Sequence, residues 1–99
     1  MSVTGRSTGS AGGDLLDQVR SAVATVLELP VESLDARTRL VEDIDVDSLA
    51  MIEIVEIVEE QLRASGRDVR IEDDLLARMQ TVADVVSAFG MAMRMGAPL

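Results

Sequence analysis

The residues best placed to do chemistry stand together. Glu42-Asp43-Ile44-Asp45-Val46-Asp47-Ser48-Leu49 sets one hydroxyl, that of Ser48, among four carboxylates, immediately before a run that reads as a helix. A serine in that position has two plain uses. It can cap the helix by accepting a backbone N–H, or it can present its oxygen for reaction. The spacing Asp43-x-Asp45-x-Asp47 also invites a calcium-loop reading, and counting tests it. The sixth position, where the sharp turn needs Gly, is Ser48, and the twelfth, where a bidentate Glu belongs, is Ile54. Specific calcium binding is therefore disfavoured, and diffuse cation binding by the cluster is the better expectation.

A hydrolytic Ser48 fails for another reason. The chain has no His and no Cys, and all nine of its basic residues are Arg, so neither imidazole nor amine is present to act as base. Thiolate nucleophiles, disulfides and ordinary zinc sites are excluded with them. If Ser48 takes part in chemistry, another protein supplies the catalysis.

The elements that must hold this stretch come from a small chain. Ninety-nine residues allow one domain with one core. With 47% hydrophobic residues and Phe89 as the one aromatic, that core is built from Leu, Val, Ile and Met. Eighteen acidic residues against nine basic give a formal charge of −9. Such a surface repels phosphate backbones and anionic lipid, and it suits partners with basic patches. No run approaches the length of a membrane span and the first residues hold no apolar signal core, so a cytoplasmic monomer is expected.

Residues 1–13 are rich in Gly, Ser and Thr and read as a disordered leader. From Asp14 to about Glu28, apolar residues recur at spacings of three and four, the period of an amphipathic helix that Pro30 ends. A long connection follows to about Asp47, with Val31, Leu34, Leu40, Val41 and Ile44 spaced to pin it to the core. Ser48 to about Leu62 is rich in β-branched residues, which favours a strand, but Glu53, Glu56, Glu59 and Glu60 repeat every three to four residues and decide for a helix. At roughly 100° per residue, Met51, Ile54, Val55, Ile57, Val58 and Leu62 fill one arc and the glutamates the other. Leu49 and Ile52 fall among the glutamates. They are either scattered exposed apolar residues or the anchors of a docking surface ringed by steering charge.

After a turn at Gly66, Ile71 to Met79 reads as a short third helix with acids first and Arg78 last. Thr81-Val82-Ala83-Asp84 has the form of a helix start, and Val82, Val85, Val86, Phe89 and Met93 carry a fourth helix, frayed over 96–99. The fold class is all-α: three main helices and one short one in a domain over 14–95, the direction of the first two helices relative to each other left open.

At this point the residues resemble a family. DVDSL opening an Ile/Val/Glu-rich helix, the Leu40-Val41-Glu42-Asp43-Ile44 approach, the glutamates behind it, and Ile71, Met79 and Thr81-Val82 later are similar to the acyl carrier proteins. The resemblance runs from about Leu15 to Phe89 and implies a four-helix bundle of acyl-carrier type. It implies a non-catalytic carrier in which Ser48 bears a 4′-phosphopantetheine arm, transferred from coenzyme A by a phosphopantetheinyl transferase, with Asp47 assisting recognition. Acyl intermediates of fatty acid or polyketide synthesis would ride as thioesters on that arm, which supplies the thiol the chain lacks. Leu49, Ile52, Glu53, Glu56, Glu59, Glu60 and Ile71 would meet basic patches on ketosynthases, acyltransferases, reductases and the transferase. An acyl chain would shelter in the bundle interior near Val55, Leu76 and Met79.

There are departures from the family pattern. Ala50 stands where a polar or acidic residue is common, Glu56 where several members carry Met, and Leu75 where an acid is common; the break before the third helix (LRASGRDVR) is longer. DIDVDSLAMIEI and L-x-x-M-x-TVADVV look similar to actinobacterial carriers, including those extending very long fatty acids. A peptidyl or aminoacyl carrier is the alternative within the class, disfavoured by the acidic DVD before Ser48. Outside it stands a small acidic cation-binding interaction domain with Ser48 as a cap.

Overall fold

The computed structural model describes residues 11–96. Four α-helices follow one another: α1 (Ala11–Leu27), α2 (Ser48–Ala64), α3 (Asp73–Leu76) and α4 (Val82–Gly96), with one turn of 3₁₀-helix at Val31–Ser33. Among the described residues there is no strand, only an isolated antiparallel bridge between Arg39 and Thr81. The leader expected over 1–13 lies outside the described residues up to residue 10, while Ala11 to Gly13 belong to α1. Of the end expected to fray, Gly96 closes α4 and the rest lies outside the described residues.

α1 forms because Leu15, Val19, Ala22 and Val23 fall on one face and are buried there. It packs against both α2 and α4. Its end is fixed by backbone chemistry. Glu28 adopts a left-handed conformation (φ 58°), the Leu29 N–H donates to the Ala24 carbonyl (3.0 Å), and Pro30 prevents continuation. α2 ends the same way at Gly66 (φ 93°), with Gly66 and Arg67 N–H groups donating to the Arg63 and Leu62 carbonyls. In α2 the 3.6-residue period overrides the β-branched composition, burying Met51, Ile54, Val55, Val58 and Leu62 on one side and leaving Ile57 half-buried. α4 starts on a reciprocal cap. The Asp84 N–H donates to the Thr81 hydroxyl, and the Asp84 carboxylate accepts from the Thr81 and Gln80 N–H groups. Val82, Val85 and Phe89 then sit at the centre of the core.

The third helix is shorter than its sequence pattern. Only Asp73–Leu76 is helical, where Ile71 to Met79 was expected. The Ile71 N–H is donated sideways to the Glu59 carboxylate, and Glu72, at the cap position, lends no side chain to the helix start. Beyond Leu76 the Arg78 N–H reaches back three residues to Leu75, a turn rather than a helix. Four residues with none buried have neither the length nor the packing to propagate further.

The connection between α1 and α2 is held at many points. Leu34, Leu40 and Val46 are buried. Arg20 of α1 reaches across to donate to the Leu34 and Val31 carbonyls, both at 2.9 Å. The Leu40 N–H donates to Gln80 (2.7 Å), and the Thr38 and Ala36 carbonyls accept from Val82 and Ala83 (3.0 and 2.9 Å). The Val46 N–H then returns to the Leu40 carbonyl (2.8 Å), closing a small loop in which Asp45, just before the closing residue, is a second non-glycine residue in the left-handed region (φ 59°). This loop delivers the chain to the start of α2.

Candidate functional site

The first turn of α2 assigns its roles clearly. Asp47 is the cap. Its backbone is extended, its carboxylate accepts from the Ala50 N–H at 2.8 Å, and its carbonyl accepts the first helical bond from Met51 at 2.9 Å. Capping by Ser48 is thereby corrected: the preceding residue does that work, and Ser48 is the first residue of the helix itself. Ser48 is exposed, and among the described residues its hydroxyl makes no hydrogen bond. Beside it lie helix-start N–H groups that no carbonyl within the helix can reach, at the end where the helix dipole favours an anion.

The neighbouring carboxylates are largely engaged. Arg39 donates to Glu42 (2.6 Å) and to Asp43 (3.3 Å), and its backbone N–H donates to the other Asp43 oxygen (2.9 Å). That backbone bond first, then the Arg39 charge and its side-chain bond, hold the Asp43 carboxyl below the usual aspartate value, against an opposing cost of partial desolvation. With Asp47 turned to the cap and Asp43 to Arg39, the described residues hold no group of three acidic side chains able to share a metal ion. The cluster that resembles a calcium loop in sequence is dispersed by local hydrogen bonding.

Ser48 and Asp47 lie on the edge of a groove of about 490 Å³. One side is α2, through Met51 and Ile52; another is the approach loop, through Val41 and Val46; the third is α3 and its exit, through Leu76, Ala77 and Met79. Leu76 and Met79, which the resemblance sets near an acyl chain, both line this groove. Val55 does not line it; it is buried in the core. Val41, Val46 and Met51 take its place. Alternation within a loop gives no period from which to read Val41 and Val46, but burial of the one beside exposure of the other at 59% marks them as floor and rim.

The outer face of α2 divides in two. Leu49 is 64% exposed and Ile52 39%, and Glu53 and Glu56 stand in solvent with them. Glu60 is exposed too and pairs with Arg63 at 2.8 Å. Glu59 turns away from this set: it is half-buried, and its carboxylate accepts the Ile71 N–H at 2.8 Å. Ile71, expected on the partner-facing surface, is buried in the core. The angular position of Glu59 gave no hint of this, because the group it serves belongs to another segment.

A hydroxyl with no hydrogen-bond partner among the described residues thus stands at a helix start, beside a groove and an acidic face with apolar anchors. Comparison with known proteins gives the class. Residues 17–89 match the family described as phosphopantetheine attachment site. The chain is 36% identical over 73 residues to acyl carrier protein 3 of Ralstonia nicotianae, covering 74% of this chain and 78% of that one. It is 33% identical over 73 residues to the acyl carrier protein of Caulobacter vibrioides (74% and 87% covered) and 32% identical over 73 residues to that of Acidothermus cellulolyticus (74% and 81% covered). The chain belongs to the acyl carrier proteins, and its prosthetic group is 4′-phosphopantetheine. No described helix is long and apolar enough to cross a membrane.

Proposed function

We propose that Ser48 carries the phosphopantetheine arm and that the protein shuttles acyl intermediates of fatty acid or polyketide synthesis between separate enzymes, catalysing no step itself. The observation that carries this reading is the division of labour at the start of α2. Asp47 caps the helix, so the Ser48 hydroxyl is exposed and unspent. When bound, the arm supplies a thiol to which acyl groups are joined as thioesters. This chain's own residues do three other things. The first turn of α2 offers N–H groups and a favourable dipole to the phosphodiester. Val46, Met51, Leu76 and Met79 offer an apolar surface beside it that excludes water from an acyl chain. Leu49 and Ile52, ringed by Glu53 and Glu56, offer anchors and steering charge to the transferase and to ketosynthases, acyltransferases and reductases with basic patches.

The absence of His, Lys and Cys supports a role as substrate rather than catalyst. The test is direct. Incubated with coenzyme A, magnesium and a broad-specificity phosphopantetheinyl transferase, the protein gains the mass of one phosphopantetheinyl group, and Ser48→Ala gains nothing. A folded wild type that gains no mass, or a Ser48→Ala variant that still does, overturns the assignment.

A further inference from the structure

One of the α2 glutamates is used differently from its neighbours, and the difference bears on the groove. α3 is a single turn with no buried residue, and no helix packs extensively against it. It is instead suspended from its two flanks. On the C-terminal side Met79 is buried, and the Gln80 carbonyl accepts the Leu40 N–H at 2.7 Å. On the N-terminal side Ile71 is buried, and its N–H is held by the Glu59 carboxylate at 2.8 Å. The suspended segment supplies the groove wall made by Leu76 and Ala77. Among the described residues Glu59 is the one side chain of α2 that hydrogen-bonds to the strap carrying the opposite wall, while Ile52, two helical turns before it, lines the near wall.

We infer that Glu59 is a positioning residue for the groove: its bond to Ile71 sets the separation of α3 from α2, and so how well a long acyl chain is sheltered beside Ser48. This rests on the reading of the groove as the acyl site. A charged acceptor on a backbone N–H is the stronger kind of hydrogen bond, and here it is partly withdrawn from water. Where few buried contacts hold a segment, such a bond governs local opening. Without it the strap keeps its apolar pins at Ile71 and Met79 but loses the constraint that fixes its height above α2. Glu59 touches no reacting atom. Its effect is transmitted through Ile71.

The experiment has two readings. In the chain without its arm, amide exchange at Ile71 accelerates roughly tenfold in Glu59→Ala, the size expected for loss of one such bond. Glu59→Gln, which keeps an acceptor oxygen and removes only the charge, restores most of the protection. In the loaded protein, wild type melts higher carrying a lauroyl than an acetyl group; Glu59→Ala loses most of that gain and Glu59→Gln keeps it. Glu59→Leu preserves the half-buried packing without an acceptor and behaves as Glu59→Ala does. If wild type shows no difference between lauroyl and acetyl, the groove reading fails and takes the inference with it. If wild type shows the difference and Glu59→Ala and Glu59→Leu keep it in full, the inference fails while the groove reading stands. Unfolding of both variants shows that the bond serves the whole fold, and that outcome overturns the inference as well.

Discussion

Removing the Asp47 carboxylate separates two jobs that adjacent residues divide between them. In Asp47→Ala the Ala50 N–H loses its 2.8 Å partner and the α2 start loses its cap. Such a loss costs about 1 kcal/mol. For a domain of this size the unfolding entropy is about 0.2 kcal/mol per kelvin, so the melting temperature falls by about 5 °C. Ser48→Ala removes a hydroxyl that bonds to none of the described residues, at a helical position where alanine is well tolerated, so stability changes by less than about 0.5 kcal/mol. Thermal melts of the unmodified proteins give the first comparison and intact mass after transferase treatment gives the second. Asp47→Ala is less stable but still able to accept the arm; Ser48→Ala is as stable as wild type but unable to. Asp47→Asn keeps the capping oxygen and removes the charge, so it melts close to wild type, and any slower modification is then a matter of recognition. Equal destabilisation by Ser48→Ala and Asp47→Ala would refute the assignment of the cap and leave the serine with a structural role.

Three further outcomes follow from the frame around the site. Glu28→Gly relieves a left-handed backbone and removes an anion from a helix C-terminus, raising stability by about 1 kcal/mol, whereas Gly66→Ala imposes the same strain and costs about 1 kcal/mol; urea denaturation reads both. Leu40→Ala empties a fully buried position under the approach loop and costs about 2–5 kcal/mol by the same assay, with a loss near zero showing that the loop is not pinned there. Asp43 has a lowered folded pKa, so its contribution is complete above the ordinary aspartate range and disappears as pH falls through the folded value. Melting temperatures of wild type and Asp43→Asn therefore differ at neutral pH and converge on acidification. A difference independent of pH would mean that the Arg39 contacts are not what Asp43 provides.

What was legible in the sequence follows the physics of each signal. Helical periodicity is repeated over many residues, so the three main helices and their buried faces were readable, including α2 against its β-branched composition. Caps are local pairs, so Thr81 with Asp84 could be read directly. At α2 the same local logic pointed to Ser48 as the cap, and the structure gives that role to Asp47 instead. The family resemblance pointed to the serine, and the match over residues 17–89 agrees on the class of protein. Illegible were the features that depend on distant partners. The resemblance set Ile71 among the partner-facing residues, yet it is buried in the core. Glu59 looked like its fellow glutamates because an angle on a helical wheel says nothing of the backbone opposite. Val55 follows the apolar arc correctly, but an arc does not tell the core side from the groove side.

The clasp between the approach loop and the start of α4 carries a temporal meaning. Ala36, Thr38 and Leu40 precede the serine, whereas their partners Ala83, Val82 and Gln80 are added to the chain well after it. A polypeptide growing from the ribosome can wind α2 as soon as that segment emerges. It cannot make the bonds that tie the loop to the start of α4 until that helix has begun. Any enzyme that reads both the serine and its approach therefore meets the finished surface only once synthesis has passed Ala83, and shorter chains lack that landmark.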